Sequence, residues 1–136
     1  MPRKTKALVL DSWSILAYLE DEPAAQKVAD LIADAHEKEI LVLMSVINVG
    51  EAWYIIAREI SEAEADKSIA EIKQLGIEFV DADWERVLIA ARFKARERIS
   101  YADCFAAALA KANKAELVTG DKEFRQVEGE IKIRWL

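Results

Sequence analysis

Short apolar runs alternate with longer stretches of helical periodicity along the chain. Ala7–Leu10 is a four-residue apolar run compatible with a strand, and residues 40–44 form a second. Residues 12–20 and 23–38 carry the helical pattern, with Pro23 near the first turn of the second helix. Residues 45–60 and 61–75 continue it, and Gly76 stands where a helix C-terminus favours a residue of unrestricted φ. A third strand is predicted at residues 77–80, helices at 84–98 and at the alanine-rich 102–113, and a fourth strand at 116–118. Residues 122–126 allow one helical turn. Ile131, Ile133 and Trp135 then alternate with Lys132 and Arg134, the half-exposed pattern of an edge strand.

Strands separated by helices need crossover connections. The expected fold is therefore α/β, a parallel sheet of about five strands with helices on both faces, in one domain over residues 1–136. The first, second and fourth strand candidates are nearly all apolar, as strands buried on both faces should be. In open sheets of this kind, ligands bind beyond the carboxyl ends of the strands. Asp11 directly follows the first strand, and Asp121 lies three residues past Val118. Both are expected at the binding edge.

Composition narrows the chemistry. The chain has 136 residues, 53% hydrophobic and 32% charged, which excludes a disordered or membrane-embedded protein. With 2 prolines and 4 glycines, a turn-dense all-β fold is disfavoured. One cysteine precludes an internal disulfide and points to a reducing compartment. His36 is the only histidine, which argues against zinc sites built on several His and Cys ligands and against most Ser–His mechanisms. The basic segment from Pro2 to Lys6 precedes an apolar run that Asp11 cuts short of the roughly 7–15 residues of a signal peptide. No apolar window reaches the roughly 18 residues of a membrane span, so a cytoplasmic protein is expected. The net charge is −6, but it is uneven: the first 68 residues carry 7 basic and 13 acidic groups, the second 68 carry 12 of each. Arg92, Lys94, Arg96 and Arg98 stand against Glu97 alone, a local basic patch. It permits a phosphate-bearing partner, although a solvated helix face is the simpler reading.

Any catalysis must then run on carboxylates. Asp11 and Asp121 have a plain explanation as helix N-caps, and Ser100 to Asp103 resembles a capping box. Glu51 does not fit that explanation, because it lies mid-helix. Its neighbours at helical spacing are Ile47, Asn48, Tyr54, Ile55 and Arg58, and the opposite stripe is also apolar. A carboxylate there needs Arg58, a polar cleft or a metal ion beside it. The apolar face around Tyr54 and Ile55 offers a dimer surface, or simply core. Asp103 has small neighbours, Ala106, Ala107 and Ala110, which leave room for an ion or pack tightly. Four acids with oxygen-only ligation suit Mg²⁺ or Mn²⁺, and metal-dependent phosphodiester hydrolysis follows as a hypothesis.

These pieces occur in a recognisable order: Asp11-Ser12 after a strand, Ser45 to Glu51-Ala52, then "SYADCFAAALA" at Ser100–Ala110, then "LVTGDKEF" at Leu117–Phe124. The arrangement resembles a PIN domain over nearly the whole chain. It is most similar to the VapC group of toxin ribonucleases. The resemblance implies a Mg²⁺- or Mn²⁺-dependent endonuclease for single-stranded RNA, the toxin of a type II toxin–antitoxin pair. It implies that Asp11, Glu51, Asp103 and Asp121 ligate the metal or orient its water. Ser12 and Thr119 match supporting hydroxyl positions, and Asn48, one turn before Glu51, is expected to face the same pocket. A homodimer and a cognate antitoxin are the implied partners. Ser100 stands where some family members carry a further acid, which counts against a strong second metal site.

Other residues have simpler assignments. Asp81 and Asp83 are expected at a helix start on an outer strand, Cys104 in the core and His36 on the surface. Arg86 and Lys122 are further candidates for RNA contact. Two alternatives remain: a PIN-type RNA-processing nuclease outside a toxin–antitoxin system, and a non-catalytic module that binds RNA or a partner. A phosphoacceptor signalling domain would need an acidic pair after the first strand, where only Asp11 stands.

Overall fold

The structure, a computed structural model, describes residues 6–136, so the basic segment beginning at Pro2 lies outside the described residues apart from Lys6. The element order is β1 (Ala7–Leu10), α1 (Ser12–Leu19), α2 (Ala25–Glu37), β2 (Leu41–Ser45), α3 (Val46–Glu59), α4 (Glu62–Gln74), β3 (Glu78–Val80), α5 (Trp84–Arg96), α6 (Tyr101–Asn113), β4 (Glu116–Thr119), a 3₁₀ helix (Lys122–Val127) and β5 (Lys132–Trp135). The five strands form one sheet in the order β3-β2-β1-β4-β5, and every pairing is parallel.

Strand alternation sorts the core into two layers. Val9, Leu43 and Leu117 point to the side covered by α5, α6 and Phe124 of the 3₁₀ helix. Leu8, Leu10, Val42, Met44 and Val118 point to the side covered by α1, α2, α3 and Ile72 of α4. Helix α6 is buried along Asp103–Ala110, eight consecutive residues, which explains its run of alanines: only small side chains let a helix sit this close to the sheet and to α5. Cys104 lies within it, and burial pushes its thiol up to about 11.

The carboxyl edge of the sheet is built from helix starts. Asp11 caps α1, Ser45 caps α3, Asp83 caps α5 and Asp121 caps the 3₁₀ helix. Element boundaries differ slightly from expectation. Helix α2 begins at Ala25, because Asp21 adopts φ 52° and the chain turns through Pro23 before helix forms. Helix α5 stops at Arg96, and β4 extends to Thr119. Gly76 has φ 80° just past α4, as a C-terminal glycine should. His36 is exposed and meets the Leu75 carbonyl at 2.5 Å.

The basic patch is partly consumed locally. Arg96 pairs with Glu130 at 2.9 Å, Lys111 joins the same carboxylate at 3.3 Å, and Lys94 donates to the Ile99 carbonyl at 2.8 Å. Arg86 pairs with Asp83 at 2.7 Å, and Arg58 stacks on the Tyr54 ring at 5.0 Å.

Leu10 is fully buried at the end of β1, whereas Leu41 at the start of β2 is 45% exposed. Leu10→Ala should cost about 3 kcal/mol in urea denaturation, within the usual range for truncating a buried leucine. Leu41→Ala should cost under about 1 kcal/mol in the same experiment. Equal costs would show that the two positions are not packed as described.

Candidate active site

β1 and β4 are neighbours in the sheet, and both end at the same edge. Asp11 leaves β1 with no solvent exposure. Its Oδ1 accepts from the Ser14 amide and the Ser14 hydroxyl, each at 2.9 Å. Its Oδ2 accepts from the Thr119 hydroxyl of β4 at 2.5 Å. That hydroxyl in turn accepts from the Asp121 amide at 3.0 Å. A single chain of hydrogen bonds therefore fixes the turn after β4 against the start of α1. Asp121 Oδ1 accepts from the Glu123 amide at 3.0 Å, which winds the 3₁₀ turn and carries Glu123 back over the edge.

The other acids come from α3 and α6, which contact each other. Ser12 donates to Glu51 Oε1, and Glu51 is half-buried. Asn48, one turn earlier and fully buried, donates through Nδ2 to the Ala102 carbonyl at 2.9 Å. This bond clamps α3 to the peptide that leads into Asp103. Asn48 Oδ1 is buried without a protein partner, a state that ordinarily calls for a donor from water or a ligand.

One oxygen each from Asp103, Asp121 and Glu123 lies within 4.8 Å of the others. Asp103 is 7% exposed, Asp121 is half-buried and Glu123 is exposed. Burial raises the Asp103 carboxyl to about 7, the charges of Asp11 and Asp121 push it the same way, the Ser100 hydroxyl opposes, and Glu51 adds a further push. Burial likewise raises Asp11 to about 6, against the hydrogen bonds from Thr119 and Ser14 and with help from the Asp121 charge. A cluster that repels itself this strongly fits a cation. Its all-oxygen donor set, with one exposed member, suits a hard divalent ion that keeps some of its waters.

The structure thus brings Asp103 and Asp121 together and adds Glu123, which the sequence reading quoted within its motif but did not single out. An acid two residues beyond a capping aspartate was the available signal. Asp11 and Glu51 stand outside that trio, and their charges bear on Asp103. Ser12 and Thr119 each hold one of the acids. Arg58 is not the partner of Glu51, because it lies on Tyr54.

The family model of the PIN domain matches residues 8–130. No curated protein sequence matches the chain. Among solved structures, VapBC2 from Rickettsia felis, bound to a DNA fragment from its promoter, superposes with a TM-score of 0.73 at 18% identity, over 96% of this chain and 98% of that one. VapC20 of Mycobacterium tuberculosis, described as a sarcin–ricin loop cleaving toxin, gives 0.72 at 16% identity, over 93% and 98%. DNA-bound VapBC from Salmonella typhimurium gives 0.70 at 16% identity, over 96% and 98%. At such identities these likenesses speak for the fold. Since the family model spans most of the sequence, the chain belongs to the PIN domain family.

Proposed function

We propose that this protein is a Mg²⁺- or Mn²⁺-dependent endoribonuclease for single-stranded RNA, the toxin of a toxin–antitoxin pair. The observation that carries the reading is the convergence of Asp103, Asp121 and Glu123 at the carboxyl edge of the sheet. These three carboxylates would hold the cation. When bound, a hard divalent cation supplies Lewis-acid stabilisation of the phosphate and lowers the pKa of water. Glu51, held by Ser12 and close enough to act on Asp103, is placed to orient the attacking water. Asp11 has its oxygens committed to Ser14 and Thr119, so its part is to position the turn that carries Asp121. Water adds to phosphorus and a ribose oxygen leaves, which cuts the strand.

The partners follow from the same reading. A cognate antitoxin would silence the site, a reading supported by the toxin–antitoxin descriptions of two structural neighbours, from Klebsiella pneumoniae and Mycobacterium tuberculosis. RNA as substrate places the protein in the cytoplasm, and no described helix is long and apolar enough to cross a membrane. A second copy would dock on α3, where Ile47 (36% exposed) and Tyr54 (42% exposed) sit seven residues apart on one face.

Cleavage of labelled single-stranded RNA by purified protein should require Mg²⁺ or Mn²⁺ and stop in EDTA. Asp103→Asn and Asp121→Asn should each lower kcat/KM by about 100-fold or more, about 2.7 kcal/mol of transition-state stabilisation. Undiminished activity in both variants would remove this site from the reaction.

The pH dependence of stability has a definite sign. Asp103 and Asp11 titrate near 7 and 6 in the folded protein and near 3.8 when unfolded. Their contribution is full below the unfolded value and is lost as pH rises through the folded values. Melting temperature without divalent ions should therefore fall between about pH 4 and 7, less steeply in Asp103→Asn, and excess Mg²⁺ should restore it at the upper end. A wild-type profile identical to that of Asp103→Asn would contradict the assignment.

Sedimentation should report a dimer that Tyr54→Glu converts to monomer without loss of helical circular dichroism. A dimer that persists in this variant would place the interface elsewhere.

A further inference from the structure

Trp13 belongs to none of the interactions described so far. It follows Ser12 at the start of α1 and is 39% exposed, so part of its ring is open to solvent beside the polar cluster. Its indole lies against Gly120, the residue between Thr119 and Asp121. A Cβ placed on Gly120 would stand 2.3 Å from Cη2 and 2.6 Å from both Cζ2 and Cζ3. Distances this similar put that carbon over the face of the ring; a carbon beyond the ring edge would be much farther from the two flanking atoms. One face of the indole is therefore seated on the glycine backbone, and only glycine leaves room for it.

The seated ring borders a cavity of about 690 Å³. Leu16, Pro23 and Leu136 give that cavity apolar walls. The Leu136 amide donates to the Thr119 carbonyl at 3.0 Å, which ties the cavity to the same turn that bears Asp121. Glu20, Glu22 and Lys27 also line it, and two carboxylates against one ammonium disfavour a phosphate there. The space thus suits a flat apolar face better than a phosphate.

We infer that Trp13 is a stacking platform for one unpaired nucleobase of the RNA strand, the base on the α1 side of the scissile phosphate. This rests on the endoribonuclease reading and adds to it a substrate-positioning residue outside the carboxylate cluster. Gly120, under the Trp13 ring, directly precedes Asp121, so a strand whose phosphate lies at Asp103, Asp121 and Glu123 has the ring beside one of its two exits. A ring already fixed on Gly120 needs little ordering when a base settles on it. Every base has a π-face, so the platform tolerates sequence and favours unpaired strands over duplex.

The test uses the full-length protein, a short fluorescein-labelled single-stranded RNA that contains a mapped cleavage site, and the same RNA with one abasic ribose next to that site. Trp13→Ala should raise KM for the intact RNA about tenfold with kcat within about twofold, and Trp13→Phe should recover most of the loss. The abasic RNA should impose a similar penalty on wild type and almost none on Trp13→Ala, because the base and the ring are then lost as one interaction. Equilibrium binding by fluorescence anisotropy in EDTA should show the same pattern without cleavage. A kcat loss at constant KM, or equal abasic penalties in both proteins, would overturn the inference and leave the nuclease reading standing. Binding that depends on Trp13, without any cleavage, would uphold the platform and overturn the nuclease. A wild type that neither binds nor cuts the RNA would overturn both, and would leave the cavity to a protein partner.

Discussion

The repulsion between buried carboxylates at the carboxyl edge of the sheet sets the terms for the rest of the structure. Two like charges at the separation of Asp103 and Asp121 repel by roughly 3 kcal/mol at an effective dielectric near 20. Burial adds the cost of stripping water from Asp103, and Asp11 contributes a further negative charge from inside the protein. Each acid is tied to an element that cannot move without dismantling the core: Asp11 to β1, Asp103 to the buried α6, Asp121 to the end of β4. The arrangement holds electrostatic strain that a bound cation would relieve.

The same side chains also make the fold. Asp11 and Asp121 are N-caps, and the partial positive charge at a helix start offsets part of their cost. Capping and site chemistry are therefore not competing explanations for these residues. The parallel sheet directs its first four strands, at one edge, into helix starts, so capping side chains gather there as a consequence of topology. Glu51 and Asp103 supply the contrast. Neither is a cap residue: Glu51 is held by the Ser12 hydroxyl from across the chain, and the peptide before Asp103 is held by Asn48 through the Ala102 carbonyl.

Much of this was legible in the sequence because it follows from periodicity. The alternation of apolar runs with helical stretches yields the strands, the crossovers and hence the edge where Asp11 and Asp121 meet. What was not legible depended on contacts distant in sequence or on fine turn geometry. Glu123 reaches Asp103 only because the cap of Asp121 tightens the following turn to 3₁₀. Arg96 looks like a free cation until Glu130, 34 residues away, is seen to take it. Arg58 has the spacing to approach Glu51, yet its guanidinium lies over the Tyr54 ring. The seat of Trp13 on Gly120 joins residues that no helical or strand period relates.

Asp11 shows how far geometry can refine an assignment made from residue type. A carboxylate offers about four acceptor sites, and Asp11 uses three of them within the protein while fully buried. Little acceptor capacity is left for a ligand. Its negative charge still matters, because it holds the Thr119 hydroxyl as a donor. With its proton committed to Asp11, that hydroxyl presents a lone pair to the Asp121 amide, so the orientation of Asp121 is inherited from Asp11 through Thr119. An amide at position 11 could present its NH₂ to Thr119 and reverse that polarity. The Thr119 proton would then point at the Asp121 amide and clash with it. An acid at position 11 therefore sets the direction of the hydrogen-bond chain that orients Asp121.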